Sequence, residues 1–419
     1  MKYLMSVAIA AILVVSVPHM ASAQDLASNF KRDKNVTVRD RPRPDYEAVG
    51  IKAGGFTVYP RVTGSVEYND NIYATKANEE SDTIWRVKPE VAVRSDWSRH
   101  ALGAFASASV NRYSDFGTED TEEYTLAVNG RLDIVRGANV AGSVQYQALT
   151  EPRTSPQSPV GSVKPIEYDL VSSKLTAVKE FNRLRLTGRL TDYDFDYKDG
   201  VNIAGGTVEQ DTRDRNEFYY GGKAEYAVSP DTALTLALLG NTKDYDLAIA
   251  GRDSDGYVAT VGANFELTDV VRGDINVGYM KQTYDLASYG KIDGFSADGK
   301  VEWFPTALTT VTATGGRTIE ESVAGGSPGY VSSNIGASVD HELLRNVLLS
   351  ANASFGKDNY EKIDRDDKRT GAGASVAYLL NRRVGVFVTY TYLKQDSSGV
   401  NHGTSFTDNK LAASVALQF

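Results

Sequence analysis

From Phe56 to Phe419, apolar and polar residues alternate with a period of two, in segments of roughly 10 to 15 residues. In the last segment Leu411, Ala413, Val415, Leu417 and Phe419 share one face, and Lys410, Ala412, Ser414, Ala416 and Gln418 the other. Near residue 60 the apolar set is Phe56, Val58, Pro60, Val62, Gly64 and Val66, against Thr57, Tyr59, Arg61, Thr63, Ser65 and Glu67. Trp85, Val87, Pro89, Val91 and Val93 repeat it against Arg86, Lys88, Glu90, Ala92 and Arg94. Such segments are strands with one apolar and one wet face, a pattern that a soluble sandwich shares.

The connections separate the two readings. Short turns recur at Ser98 to His100, Arg136 to Asn139, Asn182-Arg183, Ser229 to Thr232, Asp269 to Gly273, Pro305-Thr306, Arg345-Asn346 and Asn381-Arg382. Between them lie longer Gly-, Asp- and Ser-rich stretches, such as Asp115 to Glu123, Asp199 to Arg213, Gly251 to Gly256, Gly325 to Gly329, Lys362 to Arg369 and Ser397 to Thr404. Regular alternation of tight and long connections is the rule of outer-membrane barrels, whose tight turns are periplasmic. The predicted fold is therefore all-β: a transmembrane antiparallel outer-membrane β-barrel of about 18 strands.

Composition and targeting agree. Residues 1–23 have the parts of a secretory signal peptide: Lys2, an apolar run from Leu4 to Val17, and Ala21-Ser22-Ala23, with cleavage expected after Ala23. No other stretch approaches the ~18 consecutive apolar residues of a membrane helix, so membrane passage falls to strands. Residues 24–55 carry Lys31-Arg32-Asp33-Lys34 and Arg39-Asp40-Arg41-Pro42-Arg43-Pro44 without any period, and predict a flexible or extended periplasmic arm before the barrel at 56–419. Cysteine is absent, which excludes disulfides, thiolate metal sites and cysteine nucleophiles. A net charge of -9 gives no reason to expect nucleic acid as a partner.

The alternation also sorts candidate functional residues. Arg61, Arg86, Lys88, Glu90, Arg94, Arg131, Arg185, Arg189, Glu225, Asp298, Lys300 and Glu302 fall on the wet face and become candidate pore-lining residues, a lumen charged with both signs. Of the 24 tyrosines, Tyr68, Tyr113, Tyr193, Tyr197, Tyr245, Tyr284 and Tyr360 lie at outer strand ends, where an aromatic girdle would meet headgroups. Phe419 closes an alternating strand and resembles the barrel-assembly signal read by the insertion machinery. His402, beside Ser397, Ser398 and Ser405, is the one histidine to consider for catalysis, and a solvated loop residue is the favoured reading. Asp364, Asp366 and Asp367, like Asp253 and Asp255, read as solvated loop acids, since calcium-loop spacing is missing. No cofactor or metal is predicted, and the chain is not read as an enzyme.

Glu151-Pro152-Arg153-Thr154-Ser155-Pro156-Gln157-Ser158-Pro159, the Arg213-Asp214-Arg215 step after a Gly-rich loop and the repeated Tyr-Asp strand ends resemble the family named Putative beta-barrel porin 2. That resemblance implies a proteobacterial outer-membrane barrel of about eighteen strands, in a family often associated with exopolysaccharide export. The expected function is a non-enzymatic channel assisting export of an extracellular polysaccharide, with Tyr faces stacking on sugar rings. Two alternatives stay open: a general diffusion porin for small hydrophilic solutes, and a structural or adhesive surface barrel with a plugged lumen. Expected partners are outer-membrane lipid and lipopolysaccharide, the barrel-insertion machinery and, on the export reading, a periplasmic polysaccharide export protein and the polysaccharide itself.

Overall fold

A computed structural model describes residues 35–419 apart from 160 and 269. The predicted signal peptide, residues 24–34 of the predicted arm, and Asp269 of one predicted turn lie outside the described residues. The alternating segments form strands β1 (Phe56–Asn69), β2 (Asp82–Ser95), β3 (Ala101–Tyr113), β4 (Thr121–Val135), β5 (Ala138–Thr150) and β6 (Glu167–Phe181). They continue as β7 (Leu184–Tyr197), β8 (Arg215–Ser229), β9 (Thr232–Tyr245), β10 (Ser254–Leu267), β11 (Val271–Tyr284) and β12 (Lys291–Thr306). The last third comprises β13 (Thr309–Glu321), β14 (Gly329–Leu344), β15 (Val347–Tyr360), β16 (Asp366–Leu379), β17 (Val384–Ser398) and β18 (Phe406–Gln418).

Each strand pairs antiparallel with the next, and β18 returns to β1 from Arg61↔Gln418 to Asn69↔Lys410, which closes the barrel. The Phe419 N–H donates to the Pro60 carbonyl at 3.2 Å, one step beyond that ladder. Below this point a short strand, Ile51–Ala53, folds back on Phe56–Val58 and continues the same edge. Tight turns such as Arg136-Gly137, with Gly137 at φ 73°, alternate with long connections at the other end, the longest being 151–166 and 198–214. The predicted turn at Pro305-Thr306 falls instead at Ala307-Leu308, because the strand alternation runs on through Thr306.

The predicted facing holds along the strands: Val62, Val87, Leu411, Val415 and Leu417 are exposed on the outside, while Thr57, Thr63 and Ala416 are buried on the inside. Two belts of outward aromatics frame the apolar band, with Tyr68, Trp85, Tyr124, Tyr146, Tyr220 and Tyr390 toward the long loops and Phe181, Tyr226, Trp303, Tyr378 and Phe419 toward the tight turns. The predicted Tyr girdle needs correction. Of the seven named, only Tyr68 faces out; Tyr113, Tyr193, Tyr197, Tyr245, Tyr284 and Tyr360 occupy lumen-facing positions of their strands. Position near a strand end gave height in the membrane, but strand parity gives the face.

The arm also differs from its predicted form. Residues 35–50 lie along the inner wall at the tight-turn mouth, where Val38 and Arg43 are among the most buried residues. The basic run that suggests a solvated tail is matched by inward carboxylates of β14, so burial is compensated by ion pairs.

Candidate functional site: the lumen

Three inserted elements shape the lumen. The arm is the first. The Val38 N–H donates to Thr310 Oγ1 at 3.0 Å, Arg39 pairs with Asp340 at 2.7 Å, and Glu342 receives Arg41 at 3.1 Å and Arg43 at 2.8 Å. Arg272, Arg382 and Gln418 donate to the carbonyls of Asn35, Pro44 and Tyr46. Tyr46 packs on an inner-wall apolar patch of Ala377, Leu379, Phe387 and Ala416. The arm thus runs from β11 past β13 and β14 to β18 across one side of the mouth. Burial pulls the Arg43 guanidinium below its ordinary value against the opposing pull of Glu342.

The second element is the outer end of the β13–β14 hairpin. The β12–β13 ladder runs from Thr306↔Thr309 to Ala297↔Arg317 and stops there, although both strands continue. Beyond it, Ile319 and Val331, which alternation assigns to the lipid face, pack on the inward Met280, Tyr284 and Ile292. The tip has left the wall and folded inside. Lys243 of β9 donates to Glu321 at 2.6 Å and Tyr245 Oη donates to the same carboxylate at 3.0 Å, all three groups buried. Gly329 permits the approach: a Cβ there would lie 2.8 Å from Tyr284 Oη.

The third element is the Glu151–Gln157 segment of the β5–β6 loop. Arg153 makes a two-pronged contact with Glu119 at 2.7 and 3.0 Å, and Arg213 makes another with Glu151 at 2.9 and 3.0 Å. Burial alone would lower the Arg213 pKa, but the Glu151 carboxylate and Tyr197 carry it above the ordinary value. Gln157 Nε2 donates to the Glu321 carbonyl at 3.1 Å, so the loop and the hairpin tip meet across the lumen. These pairs use the EPRTSPQSP and Arg-Asp-Arg segments that carry the family resemblance.

Beside these elements lies a cavity of about 880 Å³, lined mainly by β1–β5, the Glu151–Gln157 segment and β13–β18. Glu67, Arg86, Lys88 and Glu123 face it from one wall, Glu320, Asn334 and Arg369 from the other. Toward the tight-turn mouth the inner face of β1–β4 continues with Arg61 3.9 Å from Glu90, Lys88 3.0 Å from Glu90, Arg94 over the Tyr59 ring, and Arg131 3.0 Å from Asp133. On the far wall Arg185 lies 3.5 Å from Glu180 and 3.9 Å from Glu225, with Arg189 buried two inward positions along β7. Asp298 accepts from Asn276 at 2.9 Å, and Lys300 pairs with Glu302 at 2.8 Å. All twelve candidate pore-lining residues sit at inward positions, on two separate walls. Sequence reasoning missed the residues that narrow the space, Arg43, Glu342, Lys243, Glu321, Arg153 and Glu119. A charged arm and a Pro-rich loop were the visible signals, but nothing local says that either folds inward.

The aromatics at the outer end are mutually satisfied. Tyr197 stacks on Tyr168 at 4.9 Å and carries Arg213 at 3.9 Å; Tyr360 stacks on Tyr330 at 4.8 Å and carries Arg365 at 4.3 Å. His402 is an exposed loop residue whose Nδ1 meets the carbonyl of its neighbour Gly403, and the Ser397 hydroxyl is turned to Asp367.

A closed, lipid-faced barrel with a charged, partly obstructed interior defines an outer-membrane channel. The profile of the family named Putative beta-barrel porin 2 matches residues 43–419, and the chain belongs to that family. Among solved structures, the chain is similar to Pseudomonas aeruginosa OccK9 (OpdG), with a TM-score of 0.49, 13% identity, and coverage of 87% of this chain and 98% of that one. It is similar also to Acinetobacter baumannii OccAB3, with a TM-score of 0.47, 12% identity, and coverage of 88% and 100%. No curated protein matches.

Proposed function

We propose that this barrel is a diffusion channel for small hydrophilic solutes, with a path along the inner face of β1–β5. The observation that carries this is the placement of the obstructions. The arm covers β11 to β18 at the tight-turn mouth, the hairpin tip packs on β9–β12 and the Glu151–Gln157 segment narrows the outer end. Arg86 and Lys88 line the cavity on the β1–β5 side, and Arg61, Glu90, Arg94 and Arg131 continue that wall toward the tight-turn mouth. Alternating charges of both signs solvate a polar solute without trapping it.

The geometry lends less to polysaccharide export. A polymer needs a continuous wide path, whereas the Glu151–Gln157 segment and the hairpin tip touch across the lumen. Tyr197 and Tyr360, lumen-facing rings at the outer end, are each covered by an aromatic ring and a guanidinium. Liposome swelling with the purified protein separates the readings. Monosaccharides are expected to enter faster than into empty liposomes while dextrans are excluded; no entry above the empty-liposome rate would overturn the proposal. A deletion strain is expected to keep its extracellular polysaccharide unchanged.

A further inference from the structure

The outer surface carries a feature that solute passage does not use. Where the β12–β13 ladder stops, a row of outward positions crosses four strands in register: Arg317 pairs with Ser333, Ser333 with Lys357, and Lys357 with Lys368. By strand parity all four point away from the lumen, since the exposed Ile335, Phe355 and Val376 share their faces. Two like charges, Lys357 and Lys368, sit directly opposite each other, an arrangement that costs stability unless an anion bridges it.

The row's carboxylates answer only part of this charge. Asp366 lies 3.5 Å from Lys357, and Asp396, the cross-strand partner of Lys368, is held by Lys394 at 2.8 Å. Arg317 donates only to Ser333 Oγ, at 3.3 Å, and its Nε is buried without a hydrogen-bond partner among the described residues. The next outward row toward the tight turns is Gly315, Ile335, Phe355 and Thr370, with Ile335 64% and Phe355 44% exposed. Lys357 therefore stands directly above Phe355, with Arg317 and Lys368 at the two ends of the row that borders the Ile335–Phe355 pair, on a lipid-facing wall at the end of the barrel that carries the long loops.

We propose that Arg317, Lys357 and Lys368 form a docking site for a phosphorylated lipid of the outer leaflet, the phosphate on the cations and the acyl chains over Ile335 and Phe355. A phosphate oxygen supplies the acceptor that the Arg317 guanidinium lacks and bridges the Lys357–Lys368 pair.

Native mass spectrometry of the detergent-purified full barrel, titrated with bis-phosphorylated lipid A, tests this. Wild type is expected to retain the lipid and R317Q/K368Q to bind it about tenfold or more weakly, while the loop variant K76Q/K164Q, with the same charge loss, binds like wild type. Lys76 and Lys164 are exposed loop residues, and heat-modifiable mobility on gels verifies folding of each variant. Equal retention by R317Q/K368Q would overturn the proposal. So would equal binding of dephosphorylated lipid A, or displacement of the lipid by inorganic phosphate at the same concentration.

Discussion

Val415 and Ser414 are neighbours in β18 with opposite surroundings. Val415 is 45% exposed on the outside, midway between Leu411, which pairs with Tyr68 of the outer aromatic belt, and Phe419 of the inner one. Val415→Arg is expected to cost about 2 to 4 kcal/mol, because a guanidinium at mid-bilayer has no water to meet it. Ser414→Arg points the same group into the lumen and should change stability by about 0.5 kcal/mol or less. Urea unfolding in lipid vesicles measures both, and equal costs would contradict the facing. At the arm, Glu342→Gln withdraws the carboxylate shared by Arg41 and Arg43. Since Arg43 is almost wholly buried, the expected result is an undocked arm, seen as faster protease cleavage between residues 35 and 50.

The β13–β14 tip is held by the buried Lys243–Glu321 pair, hydrogen bonds from Tyr245 and Gln157 to Glu321, and a small apolar cluster. Lys243→Met leaves Glu321 buried without its cation, a loss of about 3 to 5 kcal/mol at the tip. Limited proteolysis is expected to cut the 322–328 loop faster in this variant, with the rest of the barrel still heat-modifiable; an unchanged cleavage rate would show that the apolar contacts suffice. This element also marks where the sequence stops being legible. Alternation and turn spacing yield strand number, facing and the tight-turn end, because each depends on local period. Ile319 and Val331 keep that period exposed to view as lipid-facing residues, and only the early end of the β12–β13 ladder turns them inward. The same holds for the arm: Arg41 and Arg43 read as solvated charge until Glu342, 299 residues from Arg43 along the chain, comes into contact. Long-range burial of charge leaves no local periodic signal.

For the whole molecule, the proposed function rests on a path along β1–β5 that the inserted elements narrow without closing. The barrel wall is paired all the way round, so the wall sets the maximum width and the arm, loop and hairpin tip set the actual one. The most direct test is single-channel conductance in planar bilayers, comparing wild type with Glu342→Gln. Small, resolved steps are expected for wild type and larger steps once the arm is released from the mouth. Equal conductance in the two proteins would remove the arm from the path, and the absence of steps in both would contradict a channel along β1–β5.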